Sequence, residues 1–340
     1  MKKFLLVIAI LFPLLQCIGF SQVTKTGTTA AKFLSVGIGP RANAMGGAFT
    51  AIVNDASALY WNPAGAADLT QNEAMFTYTS LFKDLNINLN YFALVIPAED
   101  LGSFGVSVTA LDYGDMDVTT EFYPEGTGEK FSAASYAFGL SYARNITEWF
   151  AAGITVKYIT EGIFNSSANG VAFDVGTMFK TPFLGIKFAT IISNYGSKMQ
   201  MTGEDLLIRY DADPNSQGNN ETVDAYYKTD NFELPLKLQI GLSRDIEFFD
   251  GQRLTIAVDA THPNDNAEYV NIGGELSFLD NLISLRGGYK ALFLENNQEG
   301  LTLGAGLNYV LGVFAFGFDY SYQEFEFLNY THSFGVSFKF

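Results

Sequence analysis

His262 and His332 are the only imidazoles in the chain, so acid-base or nucleophilic chemistry would have to be built around them. Serine hydrolysis needs a hydroxyl within reach of one histidine and a carboxylate behind the ring, a set that a membrane protein can carry on its lipid side. His262 falls in an expected external loop and His332 on an outward strand position near a rim, and no flanking motif selects a nucleophile. Glu204, Asp205, Asp211, Asp213, Glu221, Asp224 and Asp230 crowd the stretch 194–233 with oxygens of the kind calcium takes, without the spacing of a calcium loop. A solvated external loop accounts for them. Gly287 with Gly288, and Gly304 with Gly306, lack the strand-turn-helix setting in which glycines cradle phosphate. They read instead as room in a wall. No catalytic residue, metal ligand or cofactor is expected, and the chain is read as non-enzymatic.

A second set of charges has a different logic. Lys157, Asp174, Lys187, Lys237, Asp259, Glu275, Arg286, Asp319 and Lys339 all fall on the polar phase of alternating segments. An ion-selective pore shows rings of one sign, whereas a mixed set suits internal salt bridges that hold something in place. Glu275 and Arg286 flank the turn at 280–281 almost symmetrically, which predicts cross-strand neighbours.

The elements that must carry these charges are strands. Tyr330, His332, Phe334, Val336, Phe338 and Phe340 alternate with Asn329, Thr331, Ser333, Gly335, Ser337 and Lys339, and Leu328 extends the apolar phase. Phe314, Phe316, Phe318, Tyr320 and Tyr322 do the same with Ala315, Gly317, Asp319 and Ser321. One face greasy and the other small and polar, over about 10 residues, is the pattern of a transmembrane barrel strand. Phe314, Phe316, Phe318, Phe334, Val336 and Phe338 are therefore expected to face lipid, and Asp319, Ser333, Ser337 and Lys339 to face inward. Such segments lie near 73–81, 87–97, 101–111, 133–144, 149–160, 170–180, 184–193, 234–244, 252–261, 268–279, 282–291, 300–310, 312–322 and 328–340. The fold class is all-β: an antiparallel transmembrane β-barrel of about 14 strands, an even number as in bacterial single-chain barrels. Short turns are expected at 99–101, 144–148, 180–183, 248–251, 280–281 and 310–311, with longer connections at the other end, notably 112–132 and 194–233. That asymmetry predicts a bacterial outer-membrane location with both termini in the periplasm.

Composition agrees. Thirty-one Phe and 18 Tyr beside only 16% charged residues suit a lipid-facing band with aromatic girdles. A net charge of −16 removes nucleic acid as a partner, since phosphate contacts need a basic surface. Lys2 and Lys3 precede an apolar run, 4–15, that fits a signal peptide ending near residue 21. Gln16 before Cys17 argues against lipidation there, and loss of the leader removes the only cysteine.

Residues 22–72 break the strand rhythm. They are rich in Gly, Ala, Ser and Asn, with short helices predicted at 29–36 and 55–61, and a segment so short of bulk cannot build its own core. A lumen can house it, which divides the chain into a leader (1–21), an N-terminal hatch (22–72) and the barrel (73–340). Asp55 or Asn54 is expected to cap the second helix, Pro63 to stop it, and Asn62 to reach barrel-wall backbone. Arg41 and Asp55 each need a partner of opposite sign or water in such a space, and Tyr60 and Trp61 should pack near the wall.

The run Gly39-Pro40-Arg41-Ala42-Asn43-Ala44-Met45-Gly46-Gly47-Ala48-Phe49, with Asp55-Ala56-Ser57-Ala58-Leu59-Tyr60-Trp61-Asn62-Pro63-Ala64-Gly65 after it, resembles the N-terminal signature of the PorV/PorQ family, relatives of the FadL fatty-acid channels. The resemblance implies a hatch motif at Asp55, Tyr60, Trp61, Asn62, Pro63, Ala64 and Gly65; apart from it, the closing aromatics Phe338 and Phe340 resemble the C-terminal signal read by barrel-assembly machinery. The family resemblance also implies work in type IX protein secretion, with secretion proteins or cargo C-terminal domains as partners. The wording of 39–45 departs from PorV itself. Two classes of function stay open: a partner-binding component of a secretion or surface-assembly system, or a FadL-like channel for a hydrophobic ligand such as a long-chain fatty acid. Aromatics Phe122, Tyr123, Tyr226, Tyr227 and Phe232 in the loops serve either, and outer-membrane lipid surrounds both.

Overall fold

The computed structural model describes residues 26–82, 85–211, 223–295, 297–325 and 329–340. The expected leader with Cys17, and Asp213, Glu221 and Leu328, lie outside them. Seven strands precede the long acidic loop: β1 (Glu73–Phe82), β2 (Ile87–Pro97), β3 (Ser103–Asp117), β4 (Lys130–Thr147), β5 (Phe150–Ile163), β6 (Ser166–Lys180) and β7 (Ile186–Gly196). Seven follow it: β8 (Lys237–Phe249), β9 (Gln252–Pro263), β10 (Tyr269–Phe278), β11 (Ile283–Leu292), β12 (Glu299–Leu311), β13 (Phe314–Phe325) and β14 (Asn329–Lys339). Each pairs antiparallel with its sequence neighbour, and β1 pairs with β14 from Glu73↔Lys339 to Ser80↔His332, which closes a fourteen-stranded barrel. Closure leaves no edge, as a strand structure in lipid requires.

The faces fall as the alternation dictates. Phe316 is 48% exposed and Val336 51%, while their inward neighbours Ser321 and Ser333 are 2% exposed. Phe338 is shielded by Phe314, Phe316 and Phe340, whose rings stand 5.0–5.7 Å away on the same outer face. One end of the barrel has tight turns because residues there accept positive φ: Gly251 (+72°), Gly312 (+64°), and the run Leu279, Asp280 and Asn281. The strand starts at 73 and the chain end lie at this same end, since β2 and β3 turn back there through 98–102.

Two expectations about the other end need correction. The connections are not all long: β5 and β6 are joined by Phe164 and Asn165 alone. The strand β6 starts four residues before the expected 170 because Ser166, Ser167, Ala168 and Asn169 offer no large apolar side chain to mark the phase. Asp205 of the acidic loop secures that tight turn, accepting from Asn165 N (2.9 Å) and Ser166 Oγ (3.0 Å). His262 is the second correction, for it lies in β9 and not in a loop. The hairpin of β3 and β4 likewise runs on to Asp117 and Lys130 through a bulge at 112–115, where Gly114 takes φ +73° and shifts the alternation.

Residues 29–72 form short helical pieces: a 3-10 turn at Lys32–Ser35, α1 (Pro40–Ala44), α2 (Ala58–Trp61) and a 3-10 turn at Pro63–Asp68. Both expected helices are shorter than predicted. Ala31 at φ +50° delays the first, and α2 starts at Ala58 without a side-chain cap. Asp55 Oδ1 instead takes the N–H (3.0 Å) and hydroxyl of Ser57, and Asn54 accepts from Arg41 Nη1 at 2.7 Å. Asn62 turns extended (φ −169°, ψ 103°) ahead of Pro63, which ends α2 as the proline predicts.

Candidate functional site

Contacts with the inward faces of most strands place the N-terminal segment within the barrel. Wall glycines make the space. A Cβ on Gly153 would stand 2.5 Å from the Pro63 carbonyl carbon, on Gly273 2.3 Å from Met45 O, and on Gly288 2.3 Å from Met45 C. Gly304 receives Ala44, Gly335 receives Pro40, Gly241 receives Thr50, and Gly105 receives Leu59. These positions span β3, β5, β8, β10, β11, β12 and β14, so the segment touches wall nearly all the way round. Inward glycine is what lets backbone meet backbone.

Polar bonds then fix it. Asp259 Oδ2 of β9 accepts from Phe49 N (2.9 Å), Thr50 N (2.9 Å) and Thr50 Oγ1 (2.6 Å), all buried. Asn62 Nδ2 donates to Thr177 O on β6 (3.2 Å) and to Thr50 O (3.1 Å), while its Oδ1 accepts from Ala64 N (3.1 Å). Thr302 Oγ1 donates to Ala44 O at 2.9 Å, and Ser243 Oγ to Ala51 O at 3.2 Å. The expected bond from Asn62 to wall backbone is thus present, and the same side chain also caps the Pro63–Asp68 turn.

The charges gather into a chain. Arg41 grips Glu275 with Nε to Oε2 at 2.8 Å and Nη2 to Oε1 at 3.0 Å, and meets Asp55 at 2.9 Å. Glu275 also takes Arg286 Nε at 2.7 Å, and Arg286 reaches on to Asp319. Burial by itself would lower the pKa of Arg41, but Glu275 and then Asp55 more than reverse it, so the guanidinium stays charged. Asp55 finds its partner within the segment and not on the wall.

The remaining predicted charges form separate pairs. Lys157 meets Asp174 at 2.8 Å, Lys187 meets Asp245 at 3.0 Å, and Lys339 meets Glu73 at 3.6 Å. Lys237 has no carboxylate partner among the described residues. Its ammonium lies 5.9 Å from the Tyr60 ring centre and 5.8 Å from that of Trp61. Those two rings meet edge to face at 5.3 Å, and Tyr91 of β2 stands 6.4 Å from Tyr60. Trp61 Nε1 donates to Ile38 O (2.8 Å), and the Tyr60 hydroxyl lies 3.0 Å from Leu34 O and 2.8 Å from Val36 O. Burial pushes the Tyr60 phenol well above its usual pKa. Ala64 and Gly65 are buried, and a Cβ on Gly65 would meet Val53 O at 2.6 Å.

Several partners escaped the sequence reading. Glu161 accepts from Ala31 N (2.8 Å), and Asp265 accepts from Thr29 Oγ1 (2.8 Å) and pairs with Lys32. Glu161 was findable, because it lies on the inward phase of β5. Asp265 was not, because it sits between strands where no period marks a face. The histidines are on separate strands: His262 of β9 pairs with Glu268 in the connection to β10, and His332 of β14 with Tyr320 Oη of β13 at 2.8 Å. Among the described residues no three His, Cys, Asp or Glu group as a metal site.

Solved structures share the closed antiparallel barrel. The toluene transporter TbuX of Ralstonia pickettii superposes with a TM-score of 0.56 at 12% identity, over 89% of this chain and 97% of that one. A monoaromatic hydrocarbon channel, CymD, gives 0.55 at 13% identity over 89% and 97%. A FadL homologue from Pseudomonas aeruginosa gives 0.53 at 13% over 95% and 99%. At such identities the likeness shows the fold. The profile of an uncharacterised protein family, UPF0164, matches residues 18–172, which include the N-terminal segment and β1 to β5. No curated protein matches.

Proposed function

We propose that this protein is a plugged outer-membrane conduit for hydrophobic small molecules, with residues 22–72 as the plug and both termini in the periplasm. The observation that carries this reading is the seat of the N-terminal segment. Backbone meets backbone at wall glycines, and Asp259, Glu275 and Thr177 bind it from three strands, which supports a lumen blocked at rest. Passage then requires local rearrangement and not free diffusion, which suits scarce apolar solutes. The names of the structural neighbours, toluene transporters and a hydrocarbon channel, support the same class. Lys237 over Tyr60 and Trp61 gives the plug a face that is aromatic and positively charged. Cells lacking their own aromatic transporter, supplied with this barrel, should take up radiolabelled toluene faster than cells carrying an empty vector. Equal uptake would remove the conduit reading.

A second reading keeps the barrel as a partner-binding component of a type IX-like secretion system. It rests on the loop end, where Tyr226, Tyr227 and Phe122 are 63%, 64% and 87% exposed. A cleft of about 320 Å³ there is lined by Met201, Leu206, Tyr226 and Tyr227. Affinity capture from solubilised outer membranes would separate the two: secretion proteins recovered with the wild type, and lost when Tyr226 and Tyr227 become Ser, favour this second reading.

A further inference from the structure

The outer wall carries a cleft that neither reading uses. It lies where β1 and β2 meet β13 and β14, near the loop end, has a volume of about 410 Å³, and is lined by Tyr78, Ser80, Asn88, Tyr320, His332 and Phe334, with Asn86 at its lip. We infer that this cleft binds the sugar headgroup of a glycolipid in the surrounding membrane leaflet.

Position comes first. Ser80 stands opposite His332 on β14 and Asn88 on β2, and all three point away from the lumen. Two positions further from that end Tyr78 stands opposite Phe334, and two further still Phe76 opposite Val336, with Phe318 of β13 beside it. Phe76, Phe318, Phe334 and Val336 are 42–51% exposed and continue the apolar band. A molecule in the cleft therefore has its polar part among hydroxyls and amides, and an apolar runway directly beneath it. A lipid has that division, and a soluble solute has no use for the runway.

The chemistry selects the head. No Lys, Arg, Asp or Glu lines the cleft among the described residues, so a phosphate would be desolvated there without a countercharge. What is present is a set of aromatic faces with neutral donors and acceptors between them. Tyr78 Oη donates to Asn88 Oδ1 (2.7 Å), Asn88 Nδ2 to Asn86 O (2.9 Å), and Tyr320 Oη pairs with His332 Nδ1 (2.8 Å). These bonds fix the amide and the imidazole in place. Ser80 Oγ and His332 Nε2 have no hydrogen-bond partner among the described residues, so each keeps capacity for a ligand hydroxyl. Rings that take the C–H face of a pyranose, flanked by oriented neutral polar groups that take its hydroxyls, match a sugar better than any charged head.

Native mass spectrometry of the full protein, released from nanodiscs holding equal parts of a diglycosyl diacylglycerol and phosphatidylglycerol, tests the inference. The glycolipid should be retained over the phospholipid by about tenfold, the worth of one or two hydrogen bonds. Ser80→Ala with His332→Phe should bring that ratio close to one. Heat-modifiable mobility on gels reports that the variant barrel is folded, and Asn308→Ala, at the tight-turn end opposite the cleft, should leave the ratio unchanged. Equal retention of both lipids by the wild type, preference for phosphatidylglycerol, or an unaltered ratio in the folded double variant would each overturn the assignment.

Discussion

Arg41 of the N-terminal segment and Glu275 of β10 meet in a two-pronged ion pair, 2.8 Å and 3.0 Å, across 234 residues of chain. Glu275 is 2% exposed and also holds Arg286 at 2.7 Å and Arg253 at 3.7 Å, so one carboxylate serves three guanidinium groups. Planar guanidinium and carboxylate match in such a fork, which gives direction as well as attraction. The pair joins the N-terminal segment to the wall at the level where Met45 lies against Gly273 and Gly288.

The two ends of that pair should not cost the same. Glu275→Ala leaves Arg41 with Asp55 alone and Arg286 with Asp319 alone, and breaking this buried network should cost about 3–5 kcal/mol. Arg41→Ala leaves Glu275 paired with Arg286, and should cost roughly half as much. Limited proteolysis of residues 26–72 in folded barrels measures the difference, with faster cleavage expected in Glu275→Ala. The opposite order would show that Arg41, and not the carboxylate, organises the site.

Asn62 gives a sharper chemical test. Its Nδ2 faces two carbonyl oxygens, Thr50 O and Thr177 O. Asn62→Asp keeps the acceptor for Ala64 N but sets a carboxylate against those oxygens, whereas Asn62→Ala removes both functions. Aspartate should loosen the segment more than alanine, by about 1–3 kcal/mol for buried groups left unmatched. Thermal unfolding in detergent, followed by gel mobility, checks the order. Alanine proving the worse would mean that the cap outweighs the wall bond.

The barrel was legible in the sequence because lipid on one side and a lumen on the other force a strict period of two. That period carried the strand count, the facing of Phe316 and Ser333, and the pairing of Glu275 with Arg286. It failed where the period is broken or unmarked, at the bulge around Gly114 and at the small polar residues before 170. Inside the lumen no period exists. That Asp55 would turn back to Arg41, and Asn54 beside it, depends on the path of a loop with no repeat. The outer cleft was hidden for another reason: Ser80, Asn88 and His332 are on three different strands, and only register brings them abreast.

The seat should also respond to alkali. Burial raises the Tyr60 phenol above its ordinary value, so its contribution is intact below the unfolded value of about 10 and is lost as pH climbs through the higher folded one. Protection of residues 26–72 from proteolysis should therefore be level near neutrality and fall above about pH 10. The comparison is with Tyr60→Phe. That variant forfeits the bonds to Leu34 O and Val36 O, about 1 kcal/mol at neutral pH, and should show a shallower alkaline decline. Parallel declines in the two proteins would place the alkaline response elsewhere.

The proposal that the N-terminal segment plugs the lumen is tested by removing that segment. A fourteen-stranded barrel encloses more space than its inward side chains fill, and here the surplus is taken by residues 29–69, most of which are buried. Deleting 24–66 takes away Arg41, Met45, Asp55 and Trp61 together, leaving Glu275, Asp259 and the wall glycines facing water. Those groups hydrate readily, and closure between β1 and β14 does not involve the deleted residues, so the barrel should persist. In planar bilayers the deleted form should carry steady current where the full protein carries almost none. Because a deletion can also impair assembly, Glu275→Ala in the full chain supplies an independent measure: with its plug loosened but present, it should flicker between closed and conducting levels. Equal, large and steady conductance from the full and deleted forms would show that the segment does not block the lumen, and the protein would then be an ordinary diffusion pore.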